Sequence, residues 1–297
     1  MKIEKVSHLG LDAVRLSTKA FDLVAVYSFG PRIAFLGKSG GENALFWDKE
    51  KLGRGDWLLR GGHRVWVGRA NADESEETYA PDNDKADVAI KDDAFTLTGA
   101  FDKRTGTRRG FTVRVISETL VEVDNFVTNE SEMLFSGFVW PLTCSLPGKE
   151  TVYRIPLGDG TAWDSFQMVY FRTWAGHGQV GFNDDQFKIG NEFLEIRPKG
   201  LENKRMIQSH RGIFLMEDAG RDFLFAKRCG LERGAAHPMG CNLAAYIGPN
   251  NFMLEMESMG AEKPLKSGES LHWKEEWAFH PKHRAVKNTS ELEGLFK

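Results

Sequence analysis

Two glutamates in one apolar segment are the clearest candidates for chemistry in this chain. Glu255 and Glu257 lie two residues apart within residues 252–258, which read FMLEMES. Residues two apart in a β-strand face the same side of a sheet, so both carboxylates would line one face. Burying them costs free energy unless they are paired or hydrogen-bonded, and acid–base catalysis is one reason to retain them. Two close carboxylates also push their proton affinities apart, which leaves one more easily protonated.

A histidine and an arginine that follow two glycines form a second candidate group. Gly61 and Gly62 allow a tight turn or a close ligand approach just before His63 and Arg64. Histidine titrates near neutrality and can donate a proton to an oxygen atom of a ligand, whereas arginine offers a rigid fork for hydroxyls or a carboxylate. Strand alternation puts the two side chains on opposite sides, so the sequence predicts that one of them lines the site.

Short strands separated by turns must position these groups. Residues 111–116 and 120–127 alternate well and predict a hairpin through residues 117–119. Long helical periodicity is nearly absent, and the best helix candidate is the tail at residues 290–296. Residues 1–297 contain no evident linker or repeat, so the pattern predicts one all-β domain, a large antiparallel β-sandwich. Further strands are expected at residues 21–27, 32–36, 88–90, 95–98, 193–196, 212–216, 223–226, 242–247, 252–257 and 272–279.

Two long segments, residues 53–87 and 156–192, lack the regular pattern of short strands and turns. Loops of this length in a compact domain are usually functional or disordered, and aromatic content weighs against disorder. Rings among polar groups suit sugar binding, because they stack on sugar C–H faces while polar side chains bind the hydroxyls. The alternative is that the aromatic residues simply anchor the loops. In the second segment the residues concerned are Trp163, Tyr170, Phe171, Trp174 and His177.

Composition excludes several classes of protein. The 297 residues are 41% hydrophobic and 27% charged, which is typical of a globular chain with a sizeable core. A net charge of -3 argues against nucleic acid as a partner. The densest basic cluster, residues 103–104 with Arg108 and Arg109, flanks Gly106 and predicts a solvated loop.

Cysteine usage and the N-terminus predict a reducing, cytoplasmic setting. Cys144, Cys229 and Cys241 are widely spaced and odd in number, which argues against a disulfide framework. The first residues do not resemble a signal peptide, and no apolar run approaches the roughly 18 residues of a membrane helix. The sequence therefore predicts no membrane partner.

Several motifs, taken in order, resemble the galactose mutarotase-like superfamily, which includes the aldose 1-epimerases. In that superfamily a Leu-Glu-Thr strand carries the catalytic base, and a Pro-Gly-Glu turn leads into the last strand. Here the corresponding segments read LEMESMG at 254–260 and PLKSGES at 264–270, followed by Trp273 to Trp277. The matches run from about residue 28 to residue 279. A little-characterised bacterial branch is also matched by GPRI at 30–33, GGHRVW at 61–66, TYAPDN at 78–83, WPLT at 140–143 and FAKR at 225–228.

The resemblance implies roles for individual residues. Glu257 aligns with the base, because it precedes Ser258 as the family glutamate precedes threonine. His63 is expected to be the second catalytic residue. Trp140 stands where better-known mutarotases carry a histidine, and His177, His210 or His237 could replace that histidine, with His237 preferred. The residues expected to bind substrate are Arg32, Arg64, Tyr79, Trp140, His237 and Glu255.

Three functional hypotheses remain open. The first is an aldose 1-epimerase-like isomerase that interconverts sugar anomers by general acid–base catalysis. The second is a non-catalytic carbohydrate-binding or regulatory protein, and the third is a lyase-like carbohydrate enzyme that uses the same groove. The expected partner is a small sugar or sugar derivative, and a homodimer is left open.

Cofactor motifs are missing from the sequence. It has no dinucleotide or phosphate loop, no nucleophile elbow and no His-Glu-x-x-His zinc motif. Asp82 and Asp84 lack the full calcium-loop pattern. The sequence therefore predicts no cofactor, and a metal is left open without a motif that supports it.

Overall fold

Strands make up most of the secondary structure. A computed structural model describes residues 1–48, 53–54, 57–69, 80–158, 166–174, 177–179 and 182–297. In chain order the strands are β1 Lys2–His8, β2 Leu11–Ser17, β3 Asp22–Val26, β4 Arg32–Gly37, β5 Gly53–Arg54, β6 Trp57–Leu58, β7 His63–Gly68, β8 Asp87–Lys91, β9 Ala94–Thr98, β10 Thr107–Val115, β11 Leu120–Asn129, β12 Phe135–Ser145, β13 Thr151–Pro156, β14 Gln167–Tyr170, β15 Thr173–Trp174, β16 His177–Gln179, β17 Phe187–Ile189, β18 Phe193–Ile196, β19 Asn203–Gln208, β20 Ile213–Asp218, β21 Phe223–Cys229, β22 Leu243–Ile247, β23 Leu254–Ser258, β24 Lys263–Leu265 and β25 Ser270–His280.

Two large antiparallel sheets contain nearly all of these strands. The first sheet has the order β1-β2-β3-β4-β7-β12-β23-β22-β19-β14, with β24 also paired to β12. The second sheet has the order β17-β18-β13-β20-β21-β25-β11-β10-β9-β8. One hydrophobic cluster between them draws side chains from both sheets, including Ile33, Val65 and Met256 from the first and Phe111, Phe225 and Trp277 from the second. The predicted all-β sandwich is confirmed.

Alternating burial in β10 and β11 shows how the sequence produces the sandwich. Val113 lies opposite Val123 across this hairpin, and both are buried in the core between the sheets. The neighbouring positions Arg114 and Glu122 lie on the other face and are less buried. The predicted hairpin is confirmed, although β10 begins four residues earlier, at Thr107.

A C-terminal helix covers part of the second sheet. Helix α1, Thr289–Glu293, begins after Asn288, whose side chain accepts a hydrogen bond from the Glu291 backbone N–H. A 3₁₀ turn, Gly294–Phe296, continues it and buries Leu295. This confirms the helix predicted at the tail. Further 3₁₀ turns are Ala80–Asn83, Pro238–Gly240 and Pro249–Asn251. Within the described part of the chain, no helix is long and apolar enough to cross a membrane.

Candidate functional site

Cross-strand register gathers charged and aromatic side chains on the outer face of the first sheet, away from the core. Leu142 of β12 lies opposite Arg64 of β7 on one side and Glu257 of β23 on the other. Glu255 lies opposite Tyr246 of β22, which in turn lies opposite Lys204 of β19. Residues directly opposite one another share a face. The site face is therefore defined by Arg64, Trp66, Trp140, Lys204, Tyr246, Glu255 and Glu257.

Glu257 is held at both carboxylate oxygens. The Lys204 ammonium donates to Oε1, and the Trp140 indole Nε1–H donates to Oε2 at 2.8 Å. The Glu257 residue is only 1% exposed. Burial raises the pKa of Glu257 and the neighbouring Glu255 carboxylate raises it further, while Lys204 and Trp140 oppose the rise. Lys204 reaches Glu257 diagonally across Ala244, whose small side chain lies directly beside the glutamate.

Glu255 has a separate cation. Arg64 Nη2 donates to its Oε1 at 3.1 Å, and the Cys144 thiol lies 3.4 Å from the same oxygen. Arg64 Nη1 also donates to the Cys144 sulfur at 3.3 Å. Burial raises the pKa of Cys144 to about 12, so the thiol stays protonated at neutral pH. Each glutamate therefore pairs with its own cation, although the two carboxylates share one face.

Asp82 joins this site to three arginines. Its carboxylate oxygens lie 3.9 Å from nitrogens of Arg32, Arg64 and Arg109, and it accepts a hydrogen bond from Trp66 Nε1. The prediction that Arg109 is solvated is wrong, because Arg109 is 4% exposed and lies within ion-pairing distance of buried acids. A strand arginine stays buried when carboxylates from distant segments neutralise it.

Arg32 supports the loop in front of β7. Its guanidinium donates to the carbonyls of Leu58 and Gly61 at 3.2 Å, and burial lowers the pKa of Arg32 to about 10. Gly62 has φ +70, and a Cβ there would lie 2.3 Å from the Ile33 carbonyl oxygen. Glycine is therefore required at the turn that leads into β7. A sugar contact from Arg32 stays a prediction.

His63 faces the core, which corrects the expectation that its side chain lines the site with Glu257. Its residue is fully buried, and its ring packs edge-on against Trp277 with centroids 4.8 Å apart. Nε2–H donates to Asn125 Oδ1 at 2.8 Å, and Nδ1 accepts from the Thr143 hydroxyl at 2.9 Å. Burial lowers the pKa of His63 to about 4. His63 therefore lies on the opposite side of the first sheet from Glu257, because it alternates with Arg64 along β7.

A second lysine–glutamate pair lies beside His63 between the sheets. Lys227 of β21 contacts Glu275 Oε1 of β25 at 2.9 Å. The same ammonium donates to Thr143 Oγ1 at 2.7 Å and to the Met256 carbonyl oxygen at 2.9 Å. Glu275 also accepts from Ser258 Oγ at 2.6 Å and from Trp277 Nε1 at 2.9 Å. This inner network therefore contacts β23 from the core side of the first sheet, at Met256, which lies between Glu255 and Glu257.

The remaining expected site residues differ in position. His237 donates from Nδ1 to the Met259 carbonyl oxygen and accepts at Nε2 from the Glu232 backbone N–H, both at 3.1 Å. With both ring nitrogens engaged, His237 is not available as the replacement acid. Trp140 lies on the site face, 5.6 Å from Trp66 between ring centroids. Tyr79 lies outside the described residues, as does Trp163.

Trp66, Tyr246 and Lys204 lie on the site face although the sequence did not predict them as site residues, and the charged one among them is Lys204. It belongs to β19, a strand that was not predicted, because Lys204 and Arg205 put a charge on each side of that strand. Lys204 and Met206 lie two residues apart and share the site face. This spacing in the sequence is the signal that could have indicated strand β19. Across the described ranges, no group of three or more His, Cys, Asp or Glu side chains could hold a metal ion.

Comparison with solved structures shows the galactose mutarotase-like fold. A galactose mutarotase-like protein from Clostridium acetobutylicum has a TM-score of 0.60 at 11% identity, covering 94% of this chain and 98% of that one. A galactose mutarotase related enzyme from Lactobacillus acidophilus has a TM-score of 0.56 at 13% identity, covering 93% and 99%. A galactose mutarotase-like protein from Lactobacillus casei has a TM-score of 0.55 at 11% identity, covering 90% of this chain and 100% of that one. No protein-family model and no curated protein sequence matches the chain.

Proposed function

We propose that the site face binds a reducing sugar and that Glu257 is the general base that interconverts its anomers. The observation that carries this proposal is a buried carboxylate with a raised pKa, in contact with a lysine and an indole N–H. A catalytic base works best when its pKa lies close to the working pH, and burial moves Glu257 in that direction. The galactose mutarotase-like fold of the chain supports the same reaction class.

The reaction needs few groups. Glu257 takes the proton of the anomeric hydroxyl, the bond from C1 to the ring oxygen breaks, and the ring oxygen gains a proton. Rotation about C1–C2 then presents the other carbonyl face, and the ring recloses by the reverse steps. Trp66, Trp140 and Tyr246 are 6%, 8% and 9% exposed. We expect these rings to pack against sugar C–H groups in the complex, while Arg64 and Glu255 bind hydroxyls.

A carbohydrate-binding or regulatory protein without catalysis is the second candidate. It is favoured by the two hydrogen bonds that already satisfy Glu257, one of them from Trp140 at the position of an expected histidine. In this alternative the pair of Lys204 and Glu257 only recognises sugar hydroxyls. The cytoplasmic location, the homodimer and the single domain over residues 1–297 stay predictions from the sequence.

The test is a binding screen followed by a rate measurement on the same protein. Reducing monosaccharides and uronic acids are screened by ligand-observed proton NMR. Anomer exchange of each binder is then followed by saturation transfer between its α and β signals. We expect exchange well above the uncatalysed rate for at least one binder. Binding with exchange at the uncatalysed rate would reject the enzyme and favour the second candidate.

A further inference from the structure

Ring opening requires a proton donor as well as a base. The anomeric hydroxyl oxygen and the ring oxygen are bonded to the same carbon, so the acid and the base must act side by side. Two histidines expected for the acid role are placed elsewhere, His63 in the core and His237 with both nitrogens engaged. Trp140 donates only a single indole N–H, which does not release its proton at neutral pH.

Two groups donate hydrogen bonds to Glu257, and of these the Lys204 ammonium is the one that can release a proton. The ammonium touches Glu257 Oε1 and lies 5.3 Å from the Trp140 ring centroid and 6.0 Å from that of Tyr246. Aromatic faces hold a cation without accepting its protons. The flexible four-carbon stem also allows the ammonium to shift by several ångström without backbone movement.

We propose that Lys204 is the general acid that protonates the ring oxygen, a role that rests on the proposed function. The sugar's anomeric hydroxyl takes the place of the ammonium at Glu257 Oε1, and Lys204 turns to the ring oxygen. The proton of the hydroxyl passes to Glu257, the C1–O ring bond breaks, and its electron pair takes a proton from Lys204. The products are the open-chain aldehyde, neutral Lys204 and protonated Glu257. Ring closure returns both protons, so the protein is unchanged after one cycle.

Substitution of Lys204 by arginine separates this role from simple ion pairing. Arginine keeps the positive charge and can still pair with Glu257, but guanidinium does not give up its proton at working pH. Anomer exchange and sugar binding are measured by NMR for wild type, Lys204→Arg and Lys204→Gln, and folding is checked by circular dichroism. Lys274→Arg is the matched control, because Lys274 is an exposed lysine paired with Glu122 on the second sheet.

We expect both Lys204 variants to lose about 10²–10⁴-fold in exchange rate while still binding sugar, as is typical of a lost acid group. The control should keep the wild-type rate. Lys204→Arg with the wild-type rate would overturn the acid role and leave Lys204 as an ion-pair partner. Wild-type protein without catalysed exchange would instead reject the proposed function itself, and the acid role with it.

A crystal structure of the unsubstituted protein with bound sugar tests the same proposal should the variants fail to fold. We expect Lys204 Nζ within hydrogen-bond distance of the ring oxygen and the anomeric hydroxyl on Glu257. A ring oxygen facing a different donor, with Lys204 still on Glu257, would overturn the assignment.

Discussion

Two lysine–glutamate pairs lie on opposite sides of β23, and the pKa values of their glutamates shift in opposite directions. On the site face, Lys204 contacts Glu257, whose pKa is raised. Between the sheets, Lys227 contacts Glu275, whose pKa is lowered. Both lysine side chains are 4% exposed and both glutamate side chains are fully buried. Burial therefore does not explain the difference.

The difference comes from the neighbours of each carboxylate. Burial alone would raise the pKa of Glu275, but Lys227, His63 and Ser258 together outweigh it. Glu257 has fewer donors and lies beside a second carboxylate, Glu255, which disfavours its charge. The surroundings of Glu275 therefore favour its charged form, whereas those of Glu257 shift the carboxyl toward its neutral form.

Glu257→Gln should produce the largest effect. Glutamine keeps the shape and can still accept from Trp140, but it cannot take a proton at neutral pH. We expect a loss of about 10²–10⁴-fold in anomer exchange with sugar binding largely kept. Saturation-transfer NMR measures the rate. Glu276→Gln is the control, because Glu276 is a half-buried glutamate that pairs with Arg228 on the second sheet, and it should exchange at the wild-type rate. A wild-type exchange rate in Glu257→Gln would show that Glu257 is not the base.

Lys227→Met should mainly reduce stability. The change leaves Glu275 buried without its cation, and breaking a buried pair typically costs about 3–5 kcal/mol. Urea denaturation measures the free energy of unfolding. Lys274→Met is the comparison, because its exposed pair with Glu122 should be worth only about 0–1 kcal/mol. Similar losses for the two variants would show that the inner pair is not a structural element.

His63 should make stability depend on pH. Its pKa is lowered from 6.5 to about 4 in the folded chain, so the unfolded chain binds the proton more tightly. This pKa difference contributes roughly 3 kcal/mol to the free energy of unfolding. The contribution is fully present above about pH 6.5 and is lost as pH falls toward about 4.

Urea denaturation at several pH values measures this dependence. The free energy of unfolding should fall less steeply with decreasing pH for His63→Gln than for wild type. His272→Gln is the control, since that histidine is 52% exposed and pairs with Asp124. An identical pH dependence for wild type and His63→Gln would contradict the buried, neutral state of His63.

Trp140→Phe should produce the smallest effect. The substitution keeps an aromatic ring but removes the indole N–H from Glu257 Oε2, which raises the pKa of Glu257 further. A hydrogen bond to a charged group is worth about 1.5–3 kcal/mol, and partial compensation by Lys204 reduces the loss. We expect anomer exchange at pH 7 to fall about tenfold, with the optimum moving to higher pH. An unchanged pH profile would show that this hydrogen bond does not tune the base.

The period of two in β-strands made part of the site predictable. It placed Glu255 and Glu257 on one face, and it separated His63 from Arg64. It could not show which of those faces meets the second sheet, because apolar residues occur on both sides of β7 and β23. The expectation that His63 lies on the site face with Glu257 was wrong for this reason.

Partners distant in sequence were beyond prediction. Lys204 reaches Glu257 across 53 residues of chain, and Asp82 reaches Arg109 only through tertiary packing. Charges that look solvated in the sequence become buried when such partners meet. The sandwich itself needed no such information, because turn residues and alternating burial recur along the chain.

A paired measurement on Glu257→Gln and Glu275→Gln tests the contrast between the two faces most directly. Anomer exchange per folded molecule and the free energy of unfolding are measured for both variants beside wild type. We expect Glu257→Gln to lose exchange and to lose less stability than Glu275→Gln. Glu275 contacts Lys227, Ser258 and Trp277, whereas Glu257 accepts hydrogen bonds from Lys204 and Trp140. Glu275→Gln should lose several kcal/mol of stability, about 3–5, while its folded fraction keeps the wild-type exchange rate. Exchange lost in Glu275→Gln but retained in Glu257→Gln would contradict this account.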